Sequence, residues 1–229
     1  MSEPEADLRQ WRLPRGRHGL PREIITRSQR ERLLAAVVRV IANKGYEATT
    51  VADILEVAGV GRESFYELFE DKLQCMRTAH ALLVDDLEAQ VRRAYDAPGP
   101  WVDRVSAGLA AALEWFAADP DVGRFILIEM SSVGPLARER FHQDFTRFTR
   151  LLDSGVGRDG PRPDLPEAAS IGVGGTLARV YAEIVRRRTA ELPSLLPELT
   201  FELLVPFVGE DAARAERERI AAGKPQDPN

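Results

Sequence analysis

Side chains able to do chemistry are few in these 229 residues, and they are widely spaced. The three histidines, His18, His80 and His142, have no carboxylate partner at a useful spacing, and neither HExxH nor GxSxG occurs. Asp85, Asp86 and Glu88 crowd one stretch, but they fall on a long helical pattern and form a solvated face. Cys75 is the single cysteine, which excludes an intrachain disulfide and a thiolate zinc site and fits a reducing compartment. Gly172-Val173-Gly174-Gly175 is no nucleotide loop, because no strand precedes it and neither GxGxxG nor GxxxxGK follows. The expectation is a chain that is not an enzyme and holds no metal or cofactor. One concentration of chemistry remains. Between Leu8 and Arg32, eight arginines stand against two glutamates, a local balance of +6 in a chain whose net charge is −5. Such a stretch is either a solvated surface or a segment able to displace the counterions of a nucleic acid.

The elements that must carry these residues are helices. Apolar residues recur at three- and four-residue steps, no alternating run is found, and no Asn-Gly or Asp-Gly turn joins apolar segments. The spacing predicts a first helix over 28–44, with Leu33, Leu34, Val37, Val38 and Ile41 on one stripe and Gly45 as its stop. Thr49 or Thr50 caps a short helix that buries Val51, Ile54, Leu55 and Ala58. Gly59 breaks it, and a third helix over 61–69 buries Phe65, Leu68 and Phe69 while exposing Arg62, Glu63, Ser64 and Glu67. A long helix follows from Asp71 to just before Pro98-Gly99-Pro100. Further helices are expected at 101–118, 120–132, 136–154 and 166–190, then a last one at 194–219 that bends at Pro206.

The stretch Thr49 to Phe69, TTVADILEVAGVGRESFYELF, is a helix-turn-helix. Two short helices joined by a glycine turn brace each other, so the second projects at an angle that suits a DNA major groove about 12 Å wide. The wider stretch RERLLAAVVRVIANKGYEATTVADILEVAGVGRESFYELFEDKLQCMRTAH resembles the N-terminal domain of the TetR family of transcriptional regulators. The residues that carry the resemblance are Gly45-Tyr46, Thr49-Thr50, Ala58-Gly59-Val60, Phe65-Tyr66, Phe69 and Lys72, in the family's order and spacing. It implies an all-α chain in four parts. Residues 1–27 are a flexible Arg-rich arm, 28–72 the DNA-binding domain, 73–222 a larger helical effector-binding and dimerisation domain, and 223–229 a frayed tail.

The resemblance makes the third helix the recognition helix and sets the start of the fourth against the DNA backbone. Thr49 and Thr50 belong to the DNA-contacting set, and Thr50 can hold a phosphate at a helix N-terminus. Tyr66 and Lys72 are expected on phosphates; for Tyr66 this is compatible with packing beside Phe69. Arg62, Glu63 and Ser64 are the base-reading candidates, with Arg favouring guanine and Glu accepting from cytosine. Gly61 departs from the family pattern of Ser or Thr after Ala-Gly-Val, which removes a hydroxyl cap and one phosphate contact. Arg15 and Arg17, in the Gly/Pro/Arg-rich LPRGRHGLPRE, belong either to a strand reaching into the adjacent minor groove or to a solvated tail.

By the same resemblance, helices four to seven enclose a small-molecule pocket. Trp115, Phe116, Phe125, Ile128, Met130, Phe141, Phe145 and Phe148 offer bulky walls for an apolar effector, and His142 a hydrogen bond, although such a wall residue is more often plain core than ligand contact. The last long helices are the expected homodimer surface, with Gly172, Gly174, Gly175 and Ala178 as a small-residue face. A two-fold dimer sets recognition helices about 34–36 Å apart, hence a near-palindromic double-stranded operator. The expected function is a ligand-released repressor; the alternative is a helical protein-interaction module that uses the helix-turn-helix as scaffold. The longest uncharged run, between Glu167 and Arg179, is too short for a membrane span of about 20 residues, and MSEPEADLRQ has no apolar signal core, so the expected location is the cytoplasm.

Overall fold

The computed structural model describes residues 21–129, 135–155, 160–161, 163 and 167–223, and its backbone divides into two compact units, 1–79 and 80–229. Arg15, Arg17 and Met130 lie outside the described residues. No β-strand occurs among the described residues, so the expected all-α class holds.

The first unit is built on α1 (Arg22–Lys44), which starts at Arg22 rather than near Ser28, so 22–27 belong to a helix and not to an arm. Pro21 stands at its N-cap and Glu23 in its first turn, a favourable start for the helix dipole. Its apolar stripe is buried as the periodicity predicts, with Leu33, Val37 and Ile41 fully enclosed. Gly45, at φ 81, ends it, its N–H donating to the Ile41 carbonyl at 2.8 Å. Then come α2 (Val51–Ala58) and α3 (Arg62–Leu68), whose fully buried Ile54 and Phe65 share the core of α1. Each such side chain contributes about 1.5–3 kcal/mol on leaving water. Gly59 makes the turn at φ 62, the left-handed region where a Cβ is costly. Arg32 of α1 donates to the carbonyls of Ala58 and Gly59 (3.2 and 3.3 Å), setting a cation on the negative end of α2.

α4 runs from Lys72 to Tyr95; its residues through Ala79 belong to the first unit and the rest to the second. The second unit continues with α5 (Trp101–Ala118), α6 (Pro120–Arg124), a five-residue π turn (Phe125–Glu129) and α7 (Pro135–Gly155). It is completed by α8 (Ala168–Val185), a 3-10 segment (Thr189–Leu195), α9 (Leu196–Val208) and α10 (Glu210–Ala221). Asp119 caps α6, its side chain accepting from Asp121 N–H at 3.0 Å. The expected single helix over 194–219 is thus two. Pro206 sits in the last turn of α9, and the chain breaks at Gly209, whose φ of 80 favours glycine. A buried polar cluster ties α10 to α5, with Glu216 accepting from Ser106 Oγ at 2.7 Å and Arg219 Nη2 at 2.6 Å. Burial alone would raise the Glu216 pKa, but these hydrogen bonds prevail and lower it.

Candidate DNA-contact face and ligand cavity

The outer face of α3 presents Arg62, Glu63, Tyr66 and Glu67 to solvent, while Phe65 and Phe69 face inward. Tyr66 is 50% exposed, and its ring meets Phe65 edge-on at 5.3 Å, not Phe69 as the sequence suggested. Ser64 is half-buried, its Oγ accepting from Gln29 Nε2 of α1 at 3.4 Å, so it points away from the free face shared by Arg62 and Glu63. Gly61 is the N-cap of α3 and supplies no side-chain bond; nothing lies within 4 Å of where its Cβ would stand. Arg22, which the sequence assigned to the arm, pairs with Glu67 at 3.6 Å on the exposed surface.

The two threonines have different places. Thr49 is buried, its hydroxyl donating to the Gly45 carbonyl at 2.7 Å, which removes it from the DNA-contacting set. Thr50 caps α2 in a closed capping box: Asp53 N–H donates to Thr50 Oγ1 (3.2 Å), while Asp53 Oδ2 accepts from the Thr50 backbone and hydroxyl (2.7 Å each). Lys44 pairs with the other carboxylate oxygen at 2.8 Å, and this contact, then the bonds from Thr50, holds the Asp53 carboxyl far below its usual range. The anion at this helix start is the protein's own carboxylate, so the expected phosphate grip by the Thr50 hydroxyl is not preformed.

Lys72 donates to the carbonyls of Tyr46 and Thr49, both at 2.6 Å, and stands 4.0 Å from the centre of the Tyr46 ring. Desolvation lowers its pKa. It therefore fastens the loop between α1 and α2, with one ammonium N–H left over for a phosphate.

The second unit holds a partly open cavity of about 180 Å³ whose walls are almost wholly apolar. α4 contributes Val84, Leu87 and Val91, α5 Leu109, Leu113 and Phe116, and the π turn Ile126 and Leu127. Phe141, Phe145 and Phe148 come from α7, Val173 and Leu177 from α8, and Leu203 from α9. Of the expected wall residues, Phe116, Phe141, Phe145 and Phe148 line it. Trp115 lies on the opposite side of α5, its Nε1 donating to Asp86 Oδ2 at 2.7 Å across a separate surface groove. Phe125 is fully buried core, Ile128 lies off the cavity beside its lining neighbours, and His142 is exposed on α7.

The histidine in the wall is His80 rather than the expected His142, and it continues the α4 stripe four residues after Met76 and four before Val84. It is 4% exposed, with Nε2 at 3.7 Å from Asp144 Oδ2 and, among the described residues, no partner for Nδ1. Burial, reinforced by the Arg140 charge, pushes its pKa down to about 4, so the ring is neutral at pH 7. Asp144 is raised by burial against the pull of Arg140, which pairs with its Oδ1 at 3.2 Å, and of Arg147. Arg147 also bridges α7 to Asp85 (2.8 Å) and Glu88 of α4.

The small-residue run of α8 splits between two roles. A Cβ on Gly172 would collide with Leu203 of α9, and Gly174 lies against Phe145, so both half-buried glycines take part in packing inside the chain. Gly175 and Ala178 stay exposed, flanked by Ile171, Tyr181 and Val185, at 56%, 44% and 48% exposure. That apolar stripe is unpartnered among the described residues.

No curated protein matches the chain. Residues 33–79 match the family described as Bacterial regulatory proteins, tetR family. Among solved structures, the transcriptional regulator FadR from Bacillus subtilis in complex with stearoyl-CoA superposes with a TM-score of 0.67 at 16% identity, over 78% of this chain and 98% of its own. FadR from Bacillus halodurans gives 0.67 at 18%, over 77% and 94%. A tetR-family regulatory protein from Rhodococcus RHA1 gives 0.63 at 19%, over 78% and 97%. Residues 33–79 are thus a helix-turn-helix domain of the tetR family, and the chain has the fold of its transcriptional regulators. No helix among the described residues is long and apolar enough to cross a membrane.

Proposed function

We propose that this chain is a cytoplasmic transcriptional repressor that binds a near-palindromic DNA operator as a homodimer and is released by a small, largely apolar effector. It acts by binding and not by catalysis. The observation that carries this is one chain holding both an exposed α3 face in a tetR-family domain and an apolar cavity. Arg62 and Glu63 are the base-reading residues, whereas Tyr66 and the spare N–H of Lys72 contact phosphates and set register. The cavity takes the effector, which favours one of two arrangements of the paired DNA-binding domains. The dimer forms on the exposed stripe of α8, where Ile171, Gly175, Ala178, Tyr181 and Val185 leave apolar surface that a second copy would cover.

The test is to incubate the purified protein with sheared DNA of its own genome at about 150 mM salt, then recover and sequence the bound fragments, since specific sites outcompete non-specific ones there. The expected result is an enriched near-palindrome. No enrichment, even after unfolding and refolding to strip a bound inducer, would overturn the proposal and favour a protein-interaction module.

A further inference from the structure

The cavity has one polar corner, and its chemistry narrows what can occupy it. Among the lining residues the polar ones are His80, Tyr95, Asp144 and Thr176. The Tyr95 hydroxyl already accepts from Trp101 Nε1 at 3.0 Å, and a threonine hydroxyl serves either a donor or an acceptor. The selective pair is His80 with Asp144. Their Nε2 and Oδ2 atoms stand 3.7 Å apart, too far for a direct hydrogen bond. Among the described residues Nδ1 has nothing to donate to, and an orphaned N–H is the costlier of the two orphans, so the ring proton belongs on Nε2, toward Asp144. Arg140, at 3.2 Å, sets a cation beside the Asp144 carboxyl, whose Oδ2 faces His80 as the acceptor. The corner therefore offers one donor and one acceptor with a gap between them.

We infer that the effector carries a hydroxyl group, alcoholic or phenolic, on its apolar body, and that this hydroxyl bridges His80 Nε2 and Asp144 Oδ2 from the cavity side. This rests on the cavity being the effector site. A single oxygen standing beside the pair, at an ordinary length of about 2.8 Å from each atom, bridges them, accepting from Nε2–H and giving its own proton to Oδ2. An ionised carboxylate has no proton to give and meets the charge of Asp144. An ammonium group can donate to Asp144 but cannot accept from Nε2–H. A purely apolar ligand leaves both groups unpaired in a water-poor corner, which is the penalty that makes sites of this kind selective.

The test compares para-butylphenol, butylbenzene and para-butylbenzoate by calorimetric titration of the full-length protein. The phenol is expected to bind at least about tenfold tighter than butylbenzene, the worth of one hydrogen bond to a charged group. Asp144→Asn and, separately, His80→Phe are expected to erase that preference while leaving butylbenzene bound; two variants guard against one that fails to fold. Equal binding of phenol and butylbenzene overturns the hydroxyl assignment but leaves the cavity as the ligand site. Tightest binding of the benzoate overturns it in favour of an anion drawn to Arg140. If none of the three binds, the effector-cavity reading itself falls, and this inference with it.

Discussion

Acidifying the ligand-free protein from pH 7 to pH 5 is expected to cost about 2 kcal/mol of stability through His80 alone. The imidazole is held at about 4 in the folded chain, by burial first and then by the charge of Arg140, against an ordinary value of 6.5 when unfolded. Because the folded value lies below the unfolded one, the unfolded chain takes up the proton first. Stability is therefore complete above about pH 6.5 and is lost progressively as the pH falls toward 4, reaching a total of about 3 kcal/mol. Asp144 works in the opposite sense at the acid end, since burial raises its pKa and the folded state then accepts that proton early. Urea unfolding followed by circular dichroism at pH 7, 6 and 5 reads the effect. With a slope of about 2 kcal/mol per molar, the midpoint should fall by about 1 M between the ends. His80→Gln, which cannot titrate, should remove most of that shift even if it lowers stability at pH 7. An equal loss in the wild type and His80→Gln would refute a buried neutral histidine as its source.

Three further outcomes test other parts of the structure. Gly61→Ser should tighten operator binding several-fold in a mobility-shift titration, because open space surrounds that Cβ and a hydroxyl there can cap α3 and meet a phosphate. Tyr66→Phe should weaken binding to all DNA sequences alike, whereas Arg62→Ala should relax preference at particular operator positions; equal, sequence-independent losses from both would refute the division of roles. Gly172→Val should destabilise the fold by about 1–3 kcal/mol in thermal melts through collision with Leu203. Gly175→Glu should instead leave the melt nearly unchanged while shifting the protein toward monomer in sedimentation.

Helices were legible in the sequence because their signal is local. The stripe Leu33, Val37 and Ile41 and the left-handed turn at Gly59 depend only on near neighbours along the chain, and both stand where the spacing put them. What a side chain meets across the fold is a different kind of information. Thr49 and Thr50 are adjacent and alike, yet one is buried against Gly45 and the other caps α2. Phe116 faces the cavity and Trp115 does not, a difference of one residue or 100° around α5. Gly172 and Gly175 part company for the same reason, since only one meets Leu203. Two misplacements did have a readable signal. Pro21 with Glu23 marks the true start of α1, and the step from Met76 to His80 to Val84 puts that histidine on the apolar stripe.

Helix α3, proposed to read the DNA, is seven residues long, and its neighbour α2 eight. Isolated helices below about 12–15 residues do not persist in water, so neither has an existence apart from α1, which underlies both and caps one through Arg32. The surface proposed to meet DNA is consequently a small share of what must stay intact for α3 to stand at all. Loss-of-function alleles in this unit should be scattered along the inward side of α1, at codons such as those of Leu33, Val37 and Ile41, at least as densely as on the face of α3. A genetic screen for derepression would map the hidden support of the reading head as faithfully as the head itself.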